Sequence, residues 1–204
     1  MSAVRNWVRP ESEFRVPYDG GFRIASTPTA PVSDLDKHEL NAARRERTRA
    51  IRDLQRKLYA DDRFAVLFVF QAMDAGGKDS TIRSVFTGVN PAGFQVSSFK
   101  APSDEERDHD FLWRITKRLP ERGRIGVFNR SHYEEVLIVR VHPEILESQK
   151  LPQYDLGTIW SERFESIRNF EEHLANNGTV IVKFFLNVSF EEQKRRFLRR
   201  IDKP

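Results

Sequence analysis

Residues 64–83 read Phe64-Ala-Val-Leu-Phe-Val-Phe70, then Gln71-Ala-Met-Asp-Ala-Gly-Gly-Lys78, then Asp79-Ser-Thr-Ile-Arg83. The first of these segments is an apolar run rich in Val and Phe, which is typical of a strand buried on both faces. A short turn with adjacent glycines follows, and the residues after Lys78 have a helical pattern. Strand, glycine turn, lysine and helix together are the parts of a phosphate-binding loop, or P-loop.

The predicted P-loop has the features that bind a polyanion made of phosphates. Glycines allow backbone N–H groups to approach phosphate oxygens. The helix N-terminus adds a partial positive charge, and Lys78 adds a full one. The residues predicted to bind phosphate here are Ala75, Gly76, Gly77, Lys78, Asp79, Ser80 and Thr81.

The P-loop also departs from the usual pattern G-x-x-x-x-G-K-[ST]. Ala72 replaces the first glycine, and Asp79 follows the lysine, so the hydroxyl comes one residue late. Asp74 lies inside the loop, where a carboxylate would repel phosphates unless a cation lay between them, so it predicts a bound Mg²⁺ ion. The plainer alternative is a strand-to-helix turn in which Gly76 and Gly77 only allow the helix to begin.

The composition limits the classes of protein. A chain of 204 residues favours one domain, and 39% hydrophobic and 31% charged residues are typical of a globular protein with a charged surface. Cysteine is absent, which excludes a disulfide scaffold and thiolate-ligated zinc and fits a cytoplasmic location. No apolar stretch approaches the roughly 20 residues of a membrane span. The net charge of +4 favours anionic ligands.

Strand and helix patterns alternate along the chain after an N-terminal segment. Residues 1–33 contain several prolines and few periodic apolar positions, which predicts an extended arm on the domain surface or a partly disordered segment. A helix with Asp34 as N-cap is predicted to run to about Tyr59. Its arginine run at 44–49 is interleaved with acids, which favours a solvated helix face over a nucleic-acid patch. Further strands are predicted at 94–99, 124–128 and 179–186. Further helices are predicted directly after the P-loop and at 103–119, 160–177 and 190–201.

This alternation predicts an α/β fold in which a parallel sheet has helices on both faces. Ligands bind such sheets beyond the carboxyl ends of the strands. The segment Phe128-Asn-Arg-Ser-His-Tyr-Glu-Glu135 directly follows the third predicted strand, so its polar residues should share a crevice with the P-loop.

Roles follow from the chemistry of that segment. Arg130 would clamp a phosphate. Asn129 occupies the place where P-loop enzymes usually hold a Mg²⁺-orienting Asp. Glu134 would contact an acceptor base, a ribose or a metal-bound water, or else it only belongs to the acidic first turn of the next helix. His132 is interpreted as structural.

Five ordered segments resemble the polyphosphate kinase 2 family. They are 71–83, Gly-Val-Asn-Pro-Ala-Gly at 88–93, Ser-Phe-Lys-Ala-Pro at 98–102, Phe-Leu-Trp-Arg at 111–114 and 128–137. The resemblance covers roughly residues 35–203 and implies a three-layer, thymidylate-kinase-like P-loop kinase fold for residues 34–204. It implies a transferase that moves phosphoryl groups between inorganic polyphosphate and nucleotides. The form Asn-Arg-Ser-His-Tyr-Glu resembles the branch that uses both nucleoside mono- and diphosphates.

The resemblance also implies roles, partners and a metal. Asp74, Lys78 and Arg130 would be catalytic, with Asp74 binding Mg²⁺ or activating the acceptor phosphate. Lys100 and Arg114 would hold nucleotide phosphate or the polyphosphate chain. The implied partners are polyphosphate and a nucleotide, and the implied assembly is a homo-oligomer, a dimer or a tetramer. The residue patterns described above do not favour a nucleic acid or a membrane as a partner.

Family members continue beyond the position of Pro204 into a basic lid. The arginines at 195, 196, 199 and 200 resemble the helix that leads into this lid, or else they form a solvated helix face. We therefore expect the chain to be shortened before or within the lid.

The sequence is also compatible with two other functions. An ATP-dependent nucleoside or small-molecule kinase would also use a P-loop, although Asp74 and the segment 128–137 argue against it. A non-catalytic protein that binds polyphosphate or nucleotides is a third possibility, since a missing lid would lower turnover.

Overall fold

A four-stranded sheet forms the centre of the computed structural model, which describes residues 11–30 and 34–202. The strands lie in the order β2, β3, β1, β4, and every neighbouring pair is parallel. Their bounds are β1 Ala65–Ala72, β2 Phe94–Ser98, β3 Ile125–Asn129 and β4 Thr179–Leu186. The predicted parallel sheet is therefore confirmed, and the carboxyl ends of its strands share one edge.

Helices surround this sheet. Their bounds are α1 Lys37–Asp61, α2 Lys78–Phe86, α3 Asp104–Arg107, α4 Trp113–Thr116, α5 Ile138–Val141, α6 Ile159–Asn176 and α7 Phe190–Ile201. Short 3₁₀ segments lie at Pro91–Gly93, His132–Glu135 and Pro143–Gln149. None of the helices in the described residues is long and apolar enough to cross a membrane.

The alternating side chains of β1 enter separate cores on the two faces of the sheet, as the pleat of a strand requires. On one face, Phe70 packs with Ile82 and Phe86 of α2, and Ile51 of α1 lies against the same cluster. On the other face, Leu67 and Val69 pack with Ile115 of α4 and Phe128 of β3, next to Phe170 of α6. Helices therefore cover both faces, which confirms the three-layer α/β architecture.

Helix α1 begins later than the sequence predicted. Asp36, not Asp34, is the N-cap, because its carboxylate accepts hydrogen bonds from the backbone N–H groups of His38 and Glu39 while Glu39 bonds back to the Asp36 N–H. Two of its arginines have a structural task. Arg44 donates to the Ser84 carbonyl and Arg52 to the Thr87 carbonyl, so they satisfy oxygens at the end of α2.

The prediction of a single helix at 103–119 is wrong, because the helix is interrupted between α3 and α4. Ser103 caps α3 as expected. The segment Asp108-His-Asp110 then leaves the helical path, since the Asp110 carboxylate accepts a hydrogen bond from the Leu112 N–H (2.8 Å). Aspartate side chains that bond to nearby backbone compete with helix formation in this way.

Residues 11–30 are mostly exposed and contain one 3₁₀ turn, Ile24–Ser26. Their contact with the domain includes a hydrogen bond from Asn187 Nδ2 to the Thr27 carbonyl (3.2 Å). The remainder of the predicted arm, residues 1–10 and 31–33, lies outside the described residues.

Candidate phosphate-binding site

The P-loop occupies the connection between β1, which ends at Ala72, and α2, which begins at Lys78. Ala75 and Gly77 have left-handed backbone angles (φ 58° and 90°), and the Gly76 N–H donates to the Met73 carbonyl (3.0 Å). These bonds and angles turn the chain sharply from strand to helix. The missing first glycine is explained here, because Ala72 is still in the strand, where a β-carbon is tolerated.

Gly76 is the position at which the loop has no room for a side chain. A β-carbon there would lie 2.5 Å from the Ala72 β-carbon and 2.7 Å from the Met73 carbonyl oxygen. Neither atom belongs to a flexible side chain, so the backbone itself would have to move. Ala72 and Gly76 are therefore sterically matched.

We predict that Gly76→Ala will lower the free energy of unfolding by about 1–3 kcal/mol and weaken tripolyphosphate binding by about 100-fold. The physical reason is the displaced loop backbone. Thermal unfolding and calorimetric titration with tripolyphosphate measure the two effects. Gly157→Ala is the control, because its β-carbon would meet only the flexible Asp155 carboxylate (3.3 Å). Equal tripolyphosphate affinity of both variants would show that phosphate binding does not depend on the backbone conformation of the P-loop.

Lys78 folds back over the P-loop, and its Nζ donates to the Ala72 carbonyl (3.0 Å). Burial and then the charge of Arg130 lower its pKa, whereas Glu134, Asp74 and Asp79 act in the opposite direction. The ammonium group therefore lies among carboxylates and one guanidinium, at the mouth of the loop. An incoming phosphate would add the negative charge that favours the protonated lysine.

The segment after β3 meets the P-loop, as the sequence predicted for neighbouring parallel strands. The Arg130 N–H donates to the Phe70 carbonyl (3.2 Å). Its guanidinium reaches Asp74, with Nη2 3.6 Å from Oδ1, and Glu134, with Nη1 3.9 Å from Oε2. Arg130 also has a left-handed backbone (φ 65°), which is unusual for a residue with a side chain. The two polar segments thus form one crevice.

Glu134 lies on the inner side of this crevice. Its side chain is 17% exposed, and burial raises its pKa despite the opposing charges of Arg130 and Lys78. In the amide orientation that satisfies its neighbours, Gln71 donates to Glu134 Oε1 (3.0 Å). Glu134 lies in the 3₁₀ turn His132–Glu135, so it is both in an acidic turn and directed at Arg130.

Asp79 and Asn129 contact each other across the strand ends, with Asn129 Nδ2 donating to Asp79 Oδ1 (2.5 Å). The Ser80 hydroxyl donates to the Gly77 carbonyl (2.8 Å), and the Thr81 N–H bonds to the same oxygen (3.0 Å). The Asn129 hydrogen bond engages the Asp79 carboxylate within the protein, whereas 78% of the Asp74 side chain is exposed, so Asp74 is the more open of the two loop carboxylates to a ligand.

Two further residues predicted to bind phosphate, Lys100 and Arg114, lie near the end of β2 and have different surroundings. Lys100 is exposed just beyond the end of β2. Arg114 is 8% exposed, donates to the Lys100 carbonyl (2.9 Å) and lies over the Phe99 ring (5.4 Å). Its guanidinium is thus occupied by the protein itself, and a phosphate contact by Arg114 stays a prediction.

A metal ion at this site would be held by the Asp74 carboxylate together with the phosphates of the substrates. Within residues 11–30 and 34–202, no group of three or more His, Asp or Glu side chains could hold a metal. Mg²⁺ is usually bound by one or two carboxylates together with substrate phosphates and water. An exposed single carboxylate inside a phosphate-binding loop fits that donor set.

Sequence reasoning missed the contact between α7 and the P-loop. Arg196 Nη1 donates to the Ala75 carbonyl (2.9 Å), and Glu192 holds the same guanidinium through Nε (2.7 Å). No spacing in the sequence indicates a contact across this separation along the chain.

A polar network behind Arg130 is likewise not indicated by any pattern in the sequence. The Glu171 carboxylate accepts hydrogen bonds from Tyr133 OH (2.8 Å) and Lys183 Nζ (2.6 Å) and lies 3.2 Å from His132 Nε2. Burial would raise the pKa of Glu171, but the His132, Lys183 and Tyr133 hydrogen bonds outweigh it and lower the pKa to about 2. Burial and the Glu171 charge raise the Tyr133 pKa to about 12. The His132 side chain is 1% exposed.

This network predicts a pH-dependent stability. The folded pKa of Glu171 lies below its ordinary value of 4.5, so its stabilisation is complete above about pH 5 and is lost as the pH falls toward 2. Glu171→Gln should lower the unfolding free energy by about 1–3 kcal/mol at pH 7, and this difference from the native chain should shrink below pH 4.5. Urea unfolding between pH 3 and 7 measures it, with exposed Glu172→Gln as control. A difference independent of pH would contradict the assigned pKa.

Comparison with known proteins finds a matching family and several similar proteins. The family model described as Polyphosphate kinase 2 matches residues 34–204. An ADP-polyphosphate phosphotransferase of Rhodopseudomonas palustris is 61% identical over 169 residues, which are 82% of this chain and 57% of that protein. An AMP/ADP-polyphosphate phosphotransferase of Meiothermus ruber is 43% identical over 194 residues, which are 94% of this chain and 69% of that protein.

A solved structure is also similar. The polyphosphate kinase 2 of Arthrobacter aurescens superposes with a TM-score of 0.78 at 39% identity, over 91% of this chain and 64% of that one. The chain thus spans less than two thirds of the length of this structure and of the Rhodopseudomonas protein.

Proposed function

This chain belongs to the polyphosphate kinase 2 family, and we propose that it transfers phosphoryl groups between inorganic polyphosphate and nucleoside mono- and diphosphates. The observation that carries the proposal is the contact between Arg130 and Asp74 (3.6 Å). It brings the segment after β3 to the P-loop, so that a lysine and an arginine face the same space. Relatives that are 61% and 43% identical to this chain are named ADP-polyphosphate and AMP/ADP-polyphosphate phosphotransferases.

The proposed chemistry needs alignment and charge neutralisation rather than a covalent intermediate. Backbone N–H groups of the P-loop and Lys78 would hold phosphate oxygens at one side of the crevice. Arg130 would hold them at the other side, at the cost of its contact with Asp74. The second pKa of a phosphate is about 6, so the acceptor is largely deprotonated at neutral pH and no general base is required.

A divalent metal is generally expected in phosphotransferases, and we infer that it is Mg²⁺ here. Asp74 would hold it, with phosphate oxygens and water as further ligands. The ion would offset the repulsion between the Asp74 carboxylate and the substrates and would neutralise charge on the transferred group. This is why metal binding, rather than proton abstraction, is the role proposed for Asp74.

The test is a matrix of donors and acceptors. We expect ATP from ADP, and ADP from AMP, when polyphosphate and Mg²⁺ are supplied. Supplying ATP as the donor, with AMP or a nucleoside as the acceptor, tests for an ATP-dependent kinase instead. Polyphosphate binding without turnover from any donor would favour the non-catalytic binding protein and overturn the proposal.

A homo-oligomer, a dimer or a tetramer, and a cytoplasmic location remain predictions of this proposal. Light scattering on the purified chain measures the first.

A further inference from the structure

We propose that Glu171 is a positioning residue for Arg130 and Glu134. It holds the turn between them from α6, which packs on the face of the sheet opposite α2. The inference rests on the proposed function, because it assigns Glu171 to phosphate binding and transfer through residues that it does not itself contact. Three hydrogen-bonding groups converge on its carboxylate, two from the turn and one, Lys183, from β4.

The turn needs such a support because its backbone is strained at the start. A left-handed backbone is unfavourable at a residue with a side chain, because the β-carbon lies too close to the following carbonyl oxygen, and Arg130 adopts this conformation (φ 65°). Such conformations persist only where the surroundings fix them. Ser131 follows, is 1% exposed and caps the turn by accepting a hydrogen bond from the Tyr133 N–H (3.2 Å).

His132 and Tyr133 are the two turn residues whose side chains contact Glu171 of α6. The His132 ring packs edge-on against Phe170 (6.0 Å), and its buried Nδ1 has no hydrogen-bond partner within the described residues. The contact between His132 Nε2 and Glu171 is therefore the polar interaction that orients the ring. Since His132 and Tyr133 lie between Arg130 and Glu134, moving them would move both of these side chains, which line the crevice beside the P-loop.

A second contact from α6 should keep the chain folded when Glu171 is replaced. Arg163 donates to the Glu135 carboxylate (2.7 Å) and to its carbonyl (3.2 Å), and both side chains are buried. This ion pair anchors the far end of the turn without involving Glu171. Loss of Glu171 should therefore loosen the turn locally.

The experiment is a double-mutant cycle of Glu171→Gln and Arg130→Ala, read by calorimetric titration with tripolyphosphate and by kcat/KM. Glu172→Gln is the matched control, because it makes the same change at an exposed neighbour. We expect Glu171→Gln to weaken tripolyphosphate binding about 10-fold and to lower kcat/KM by about 10- to 100-fold, with Glu172→Gln within twofold of native. In the Arg130→Ala background the loss of tripolyphosphate affinity from Glu171→Gln should fall below about twofold.

Circular dichroism and thermal unfolding verify that each variant is folded at the assay temperature. Equal losses from Glu171→Gln with and without Arg130 would overturn the inference, since the residue would then act on the fold in general. Native affinity in Glu171→Gln would overturn it as well. If the native chain binds tripolyphosphate but transfers nothing, the proposed function fails, while the binding cycle still decides the role of Glu171. Absence of tripolyphosphate binding by the native chain would overturn both.

Discussion

Lys78→Ala should lower kcat/KM for polyphosphate-dependent ATP formation by about 1,000-fold while leaving the fold intact. The substitution removes the positive charge at the mouth of the P-loop, where the Nζ lies beside the Ala72 carbonyl. Its structural cost is one hydrogen bond at a half-buried position, about 1 kcal/mol. Phosphoryl transfer depends on neutralising charge on the phosphate, so catalysis should suffer far more than stability.

Steady-state ATP formation and thermal unfolding, measured on the same preparation, separate the two effects. Lys57→Ala is the control, because this lysine lies exposed on α1 and its loss changes the net charge equally. Near-native turnover by Lys78→Ala would remove the P-loop from the mechanism. A large drop in both variants would mean that net charge, and not the loop, attracts the substrates.

Asp74→Asn should lower kcat by about 100-fold or more and raise the Mg²⁺ concentration needed for half-maximal turnover. The amide has nearly the same shape as the carboxylate but lacks its charge, so a hard cation would lose its protein ligand. The change also frees Arg130 from its ion pair with Asp74. Release of Arg130 alone would favour phosphate binding, so the two possible roles of Asp74 predict opposite changes in affinity.

Turnover as a function of Mg²⁺ concentration, together with tripolyphosphate titration in the presence and absence of Mg²⁺, tests this prediction. Asp53→Asn, at an exposed position on α1, is the control. An unchanged Mg²⁺ dependence in Asp74→Asn would show that Asp74 serves only as the counter-ion of Arg130, and the metal would then have to be held by the substrates.

Elements whose ends carry local signals were predictable from the sequence. Strand β4 and helix α7 have the predicted bounds, because Gly178 with its left-handed backbone ends α6 and Ser189 caps α7. The break between α3 and α4 was missed, because it depends on Asp110 preferring a turn over helix. The short helices at 138–149 were also missed, since such brief segments show no periodicity.

The site was predictable as far as sheet topology determines it. Parallel strands place the residues after β1 and β3 at one edge, so the meeting of Asp74 and Arg130 followed from the strand pattern. The contacts of Glu171 and Arg196 were not predictable, because they join helices to loops that are distant in sequence. Tertiary packing alone decides which of several similar charges on a helix faces inward.

The most direct test of the proposed transfer is ³¹P nuclear magnetic resonance of polyphosphate, ADP and Mg²⁺ mixed with the native chain. The proposed function predicts that β-phosphate signals of ATP appear while polyphosphate signals decline, and that Lys78→Ala slows both changes by about 1,000-fold. Unchanged spectra with the native chain, although tripolyphosphate binds to it, would contradict phosphoryl transfer by this site.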